Sequence, residues 1–517
     1  MVLDEMLINE IDFRLTEDSL PYLQARALTS IAMCLSQDNL VINRGYNAAA
    51  LMLNACLRLR LLDEDDCIGA YTPEQELEQV WIAWRFRETR RRTGLFIWVT
   101  DCVLAFMFQT SPRLPLRCLN LKLPSEDNMW EADTSEKWLK LLERRNVPDC
   151  HLPNFLSEEK LRLSVRDAFQ ALWTKGQAPK PTTQLGSITI ISMLVSRSWD
   201  TAWYLNDPDI HAPKQYLAAI PKFASWRNIT CDCLDILHWK ALSVSARRGG
   251  IEGPVFLHLH LARLTLLTPV RDFFDHAHDK GANSASFLLP HDLYSFRGPE
   301  LLKQSEKTIR IWSQDDRYKA RLSVIHAGAI FWHVRRYSSN SFVEPFAVFL
   351  ATLTLWMYGR HFNDKPNSPV SSPIPSSLME GESDHLSEVV DAGSPITTSL
   401  EVLSQSRHDL GGSSSRGQDD NHHTPSQKPT LPPQYQRMPK ALQLDRPIDD
   451  ELVQYFIRSD TKLVLSLEGV SDLYSIQGHD QVLREGISLL DDSAACWPAA
   501  RNYSVFLSSL IDDEINS

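Results

Sequence analysis

Glu88, Arg91 and Arg92 are the residues of this sequence whose types and spacing promise the most definite chemistry. On a helix, a carboxylate and guanidinium groups three and four residues later lie on one side, within reach of one another. The stripe they interrupt is otherwise apolar: Trp81, Trp84, Leu95, Trp98, Cys102 and Phe106 follow one another along one helical face. A carboxylate set between tryptophan and leucine side chains is costly unless paired, so the expected chemistry is a buried ion pair that fixes helix register. Asp101 falls near the same side, one turn past Trp98. Trp81, Trp84, Glu88, Arg91, Arg92, Trp98 and Asp101 therefore form an expected polar and aromatic hub with an architectural role. Arg85, Arg87 and Arg90 complete the densest basic run. Spread around a helix that carries three tryptophans, they read as packing and surface solvation ahead of nuclear import or phosphate contact.

Metal ligation is the next chemistry to weigh. A zinc finger needs two cysteines two to four residues apart and two histidines three to five apart. Here Cys231-Asp232-Cys233 has one residue between its cysteines, and after His238 no second histidine follows at finger spacing. His258 with His260, and His276 with His278, are two apart, so on a helix they point to nearly opposite sides and cannot share an ion. His260 lies on the Leu257–Leu264 stripe and reads as a hydrogen-bonded core histidine. Acidic clusters at Asp63–Asp66, Asp449–Glu451 and Asp512–Glu514 raise a metal-dependent all-α enzyme of isoprenoid type, in which carboxylates hold magnesium against a diphosphate. None has the Asp-Asp-x-x-Asp/Glu spacing that would gather carboxylates on one helical face, and Asp63–Asp66 reads as a solvated interhelix loop. No G-x-S-x-G, phosphate-cradling glycine loop or H-E-x-x-H occurs.

Composition narrows the class. At 517 residues and 43% hydrophobic content the chain suits one large or two moderate domains. A formal charge of −12 argues against a body that grips nucleic acid through a basic face. Nine cysteines are scattered, and Cys34, Cys56, Cys102, Cys118, Cys233 and Cys496 adjoin apolar residues, so reduced core thiols of an intracellular protein are expected. The amino terminus lacks the order of a signal peptide. The most apolar runs, Gly94–Phe108 and Phe346–Tyr358, fall short of the ~20 residues a bilayer requires, so a soluble chain with no membrane partner is expected.

The elements that must position these residues are helices throughout; no sustained period-two alternation appears. Leu20, Leu23, Ala27, Ile31, Cys34 and Leu35 form one stripe, and Tyr46, Ala49, Leu53, Cys56 and Leu57 the next. Ser36–Asn39 and Asn43-Arg44-Gly45 supply turn and capping chemistry between them, predicting a hairpin. Thr72-Pro73-Glu74-Gln75 predicts the start of the tryptophan helix. Further helices are expected over Leu234–Ala246, Val255–Thr268, Ala320–Ser338 and Phe342–Tyr358, with Gly249-Gly250 and Gly253-Pro254 as breaks. From 363 to 440, Ser-Pro pairs and a Gly-Gly-Ser-Ser-Ser run predict a disordered linker, whose Ser368, Ser372 and Ser394 have the context of proline-directed phosphorylation. Residues 441–517 regain helical patterning but bury too little alone, so they should pack back and complete the body formed by 1–362. The fold class expected is all-α.

The tryptophans, Glu-x-x-Arg-Arg, an aromatic and an Asp on one helix, followed by a Pro-containing loop with Leu123-Pro124 and Trp130, resemble the middle homology domain of fungus-specific transcription factors. The likeness extends through Cys233–Trp239, Gly253–Arg263, Ala327–Ala329, Trp332–Tyr337, Glu344–Gly359 and Gln443–Gln454. Together these are similar to the regulatory body of the subgroup whose amino terminus bears two-cysteine, two-histidine fingers. The resemblance implies a non-enzymatic regulator of RNA polymerase II-dependent expression in the nucleus, of a metabolic pathway or gene cluster. It implies zinc only in an upstream finger module, with no cofactor in this chain. Relatives place their fingers before the region where this chain begins. DNA would thus be reached through a module missing from the amino terminus or through a partner protein, with a homo- or heterodimer and a small-molecule effector as further expected partners. The other class kept open is a helical scaffold that does not bind DNA.

Overall fold

Apolar residues stepping by three and four dictate helices along the chain, and the computed structural model contains sixteen α-helices among its described residues. It describes residues 20–64, 76–144, 162–180, 183–205, 221–280, 299–362, 441–446, 450–458 and 463–516. The fold class is all-α. Two short strands, β1 (Ala441–Gln443) and β2 (Val464–Ser466), pair in parallel with Ala441 opposite Val464. Thr72–Gln75, Asp65, Asp66, Asp449 and the whole of 363–440, with Ser368, Ser372 and Ser394, lie outside the described residues.

The first two helices, α1 (Leu20–Cys34) and α2 (Asn39–Arg58), form the expected hairpin. Asp38 caps α2 by accepting the Leu40 N–H at 2.8 Å. Asn43-Arg44-Gly45, read from sequence as part of the turn, instead lies inside α2. The glycine serves the crossing: a Cβ at Gly45 would lie 2.7 Å from the Met33 Cβ. The tryptophan helix α3 (Leu77–Met107) follows, beginning after Glu76 without a side-chain cap. Gln109, in the left-handed region at φ 52°, breaks the chain away after it.

Short helices α4 (Asp127–Trp130) and α5 (Ser135–Glu143) flank the amino-terminal half of α3. Next come α6 (Val165–Lys175), α7 (Gln184–Leu205), α8 (Pro221–Arg247), α9 (Pro254–Leu267), α10 (Val270–Lys280), α11 (Pro299–Gln314), α12 (Arg317–Tyr337) and α13 (Glu344–His361). Helices α8, α9, α12 and α13 carry the four stretches expected helical, with α8 starting well before Leu234. Gly249 and Gly250, at φ 78° and 84°, turn the chain between α8 and α9. After 440 come α14 (Asp450–Arg458), α15 (Ile476–Ser493) and α16 (Ala499–Asn516).

Helix α13 is buried nearly all round, as its lack of polar stripe demands, and α12, α15 and α16 are among the helices that enclose it. Its first residue, Glu344, ties down the preceding turn by accepting the N–H groups of Ser339 and Ser341 at 3.0 Å each. The apolar side chains form two clusters. The main core runs from α1 to α16; a smaller one gathers Val80, Trp81, Trp84, Met129, Ala132, Trp138 and Leu142 around the outer half of α3. Trp98 anchors the first and Trp138 the second, both fully buried. Each such tryptophan contributes about 4–6 kcal/mol by area. Cys34, Cys56, Cys102 and Cys233 are buried thiols, whereas Cys118 is only half-buried. Cys496, grouped by its apolar neighbours with the core, is exposed, because it falls in the turn between α15 and α16. Among the described residues, no helix is long and apolar enough to cross a membrane.

Candidate functional site: a buried charge cluster on the tryptophan helix

Glu88 sits where the two cores meet on α3 and has no exposed surface. Helical spacing alone delivers two of its partners: Arg91 Nη1 donates to Oε2 at 2.5 Å and Arg92 Nε to Oε1 at 2.9 Å. The loop after α3 supplies the rest. Ser125 donates its backbone N–H to Oε1 at 2.8 Å and its hydroxyl to Oε2 at 3.1 Å. Arg162, from the stretch before α6, stands 3.9 Å from the same carboxylate and donates to Ser125 Oγ at 2.7 Å. The Leu123-Pro124 motif thus works by presenting the residue that follows it.

Each arginine has a second task. Arg91 donates to both carboxylate oxygens of Glu64, through Nη2 at 2.5 Å and Nε at 3.3 Å. Arg92 donates to the Ser125 carbonyl at 2.8 Å and to Asp127 at 3.1 Å, and its guanidinium stacks 5.0 Å from the Trp130 ring. Glu64 departs from the reading of Asp63–Asp66 as a solvated loop, whose Asp65 and Asp66 lie outside the described residues. Its side chain is 16% exposed, and it also accepts the Lys122 N–H at 3.0 Å. A Cβ at Gly94 would collide with the Leu61 carbonyl; glycine there lets the 59–64 segment lie against α3. Burial opposes ionisation of Glu64, but the Arg91 hydrogen bond and charge outweigh it and hold the carboxyl below its ordinary range. Asp63 accepts from the Asn120 side chain at 3.0 Å.

The seven hub residues do not form one group. Glu88, Arg91 and Arg92 are its ionic centre; Trp81 and Trp84 belong to the small core, with Trp84 5.4 Å from Trp138; Trp98 belongs to the main core. Asp101 is buried but turned elsewhere: it accepts the Leu114 N–H at 2.8 Å and so pins the loop after α3. Burial raises its carboxyl pKa despite that bond and the nearby Arg113. Glu64, Ser125, Asp127 and Arg162 complete the cluster without having been singled out by spacing, since each comes from a loop or element boundary with no period to read.

Three carboxylates, Glu64, Glu88 and Asp127, face three guanidinium groups, Arg91, Arg92 and Arg162. Counted over these six side chains, the cluster is neutral. The recess beside it, lined by Arg60, Leu61, Glu64, Arg90, Arg91 and Leu121 among others, has a volume of ≈ 20 Å³, room for little more than one water.

Among the described histidines, His258, His260, His276 and His326 are buried. His260 Nδ1 lies 2.9 Å from His326 Nδ1, with His238 edge-on to the His260 ring at 5.3 Å. The His278 side chain lies outside those described. Burial, followed by the charge of Arg263, pushes the His238 pKa down to about 4; burial and His333 push His258 to about 4. Beside them Arg263 pairs with Asp235 and donates to the Cys231 carbonyl at 3.0 Å. The Cys233 thiol is pushed up to about 12, chiefly by burial. Among the described residues, no set of three or more histidine, cysteine, aspartate or glutamate side chains is placed to hold a metal.

Comparison with known proteins places this arrangement. Residues 4–216, which include the whole of α3 and its charge cluster, match the family model described as the fungal specific transcription factor domain. A protein named "Transcription factor" from Gibberella fujikuroi is 19% identical over 373 residues, covering 72% of this chain and 43% of that protein. A transcription factor of Zymoseptoria tritici is 31% identical over 111 residues, 21% of this chain and 11% of the relative. The chain thus spans less than half the length of these curated relatives. No solved structure gives a significant match.

Proposed function

We propose that this chain, whose residues 4–216 match the fungal specific transcription factor domain, regulates RNA polymerase II-dependent transcription in a fungal nucleus, without catalysis of its own. The observation that carries this reading is the family match over the segment that contains the charge cluster. The internal neutrality of that cluster supports an architectural role for Glu88, Arg91 and Arg92 with Trp81, Trp84, Trp98 and Asp101. In this reading 1–362 and 441–517 form one regulatory body, interrupted by a linker over 363–440 whose Ser368, Ser372 and Ser394 accept phosphate. The body receives a signal from a partner protein, a second copy or a small metabolite, and sets the activity of a DNA-bound complex. DNA is reached through an amino-terminal module or through the partner, and the regulated genes belong to a metabolic pathway.

The test is to fuse the full chain to a heterologous DNA-binding domain upstream of a reporter in a fungal host. Reporter output should change severalfold in one direction, and a fluorescently tagged chain should collect in the nucleus. A nuclear fusion that leaves the reporter unmoved under every nutrient condition tried, or a chain held out of the nucleus, would overturn the proposal.

A further inference from the structure

Helix α13 owes two of its walls to residues that arrive only after 363–440, the 78-residue stretch rich in Ser, Pro and Gly. The contact is closed at backbone level from both sides. A Cβ at Gly328 of α12 would lie 2.5 Å from the Leu444 carbonyl oxygen; one at Gly359 of α13 would strike the Leu473 carbonyl, and one at Gly486 of α15 the Thr352 side chain. Between these points Phe349 stacks on Tyr503 at 4.6 Å and meets Phe506 edge-on at 5.6 Å. Val482, Leu483, Leu490, Phe506 and Leu507 have no exposed surface. At the rim, Arg335 of α12, which also lies over the Phe331 ring, is held by the later segment: Asp445 at 2.7 Å, Glu485 at 2.6 Å, the Glu468 carbonyl at 3.3 Å and the Glu468 carboxylate at 3.8 Å. Arg321 donates to the Phe456 carbonyl at 2.8 Å, and the Ala499 N–H reaches back to Leu35 at 2.8 Å.

Such packing has the character of an obligate interface, a core cut in two. A tether of 78 residues, by contrast, contributes an effective concentration of only about a millimolar. We propose that the face of α12 and α13 is a docking surface for residues 441–517 as a non-covalent piece, so that the interface and not the connection through 363–440 keeps the segment in place. The partner it fits is this chain's own carboxyl-terminal segment, whether or not the chain is continuous. Cleavage within 363–440 then leaves one folded body.

The experiment uses the full chain with a site-specific protease sequence inserted after Gln405. After complete cleavage, both fragments should co-elute at the intact volume at micromolar concentration and melt in one cooperative transition whose midpoint falls on dilution. Separation of the fragments, or loss of the cooperative melt, would overturn the proposal. Arg335→Glu would set a fourth carboxylate among those of the segment, and after cleavage the segment should leave at least about a hundredfold faster than from the unchanged body. Equal release rates would remove Arg335 from the docking argument. Where Arg335→Glu fails to fold before cleavage, Glu485→Lys, at a partly exposed position, makes the same comparison with cation facing cation.

Discussion

Replacing Glu88 with alanine should cost the folded body about 3–5 kcal/mol, the range for removing one partner of a buried ion pair. The distribution of contacts refines that figure. Arg91 keeps Glu64, and Arg92 keeps Asp127 and the Ser125 carbonyl, so neither guanidinium is left bare. The Ser125 N–H, by contrast, loses the acceptor that the structure gives it in a buried setting, which alone costs about 1–3 kcal/mol. The lower half of the range is therefore expected. Arg92→Ala, at a position 15% exposed, should cost clearly less, about 1–2 kcal/mol. Urea unfolding followed by circular dichroism gives both values from the midpoint at constant slope, and for Glu88→Ala a fall in Tm of roughly 3–5 °C should accompany it. A Glu88→Ala midpoint within about 0.5 kcal/mol of the parent would refute the pairing argument. So would an Arg92→Ala loss exceeding that of Glu88→Ala.

The buried histidines make stability depend on pH. His238 and His258 are held near 4 in the folded state against about 6.5 when unfolded, so their penalty is absent above pH 6.5 and grows as pH falls toward 4. At pH 5.5 each removes on the order of 1 kcal/mol, and a urea midpoint flat from pH 7 to 5 would count against their burial as neutral rings. Gly94→Ala should destabilise by about 1–3 kcal/mol and loosen Glu64 from Arg91, because the new methyl meets the Leu61 backbone. Gly250→Ala meets no neighbour, but its φ of 84° strains any side chain and should cost about 1–2 kcal/mol; thermal melts read both losses. Cys34 and Cys56, buried and pushed up to about 12, should resist alkylation until the protein unfolds, while Cys496 reacts at once; mass spectrometry of a timed alkylation reads the order.

Local interactions are what the sequence made readable. Glu88 finds Arg91 and Arg92 because helix geometry fixes offsets of three and four, and the hairpin of α1 and α2 follows from two apolar stripes and Asp38. What lay hidden is non-local. Glu64 reaches Arg91 across 27 positions, and Ser125 reaches Glu88 across 37, each from a segment with no periodicity. Gly45 read as a turn residue because glycine breaks helices in isolation; only the partner helix at Met33 shows why one is needed mid-helix. Asp101 shares the stripe of Trp98, yet its partner is a loop N–H thirteen residues on, a contact that no helical period encodes. Likewise, one continuous aromatic stripe on α3 gave no sign that its two halves join different cores.

That division has a mechanical consequence. At 31 residues α3 is a rod of about 46 Å, with Trp81 and Trp84 clamped at one end by Met129 and Trp138, and Trp98 to Phe106 embedded in the main core at the other. Glu88 stands between the clamps as a fulcrum, tied to the loop at Ser125 and, through Arg91, to the segment at Glu64. A small tilt imposed on the outer clamp would be carried along the rod and reappear among the innermost helices. The outer cluster, far smaller than the core it adjoins, is where a modest force would have the longest arm.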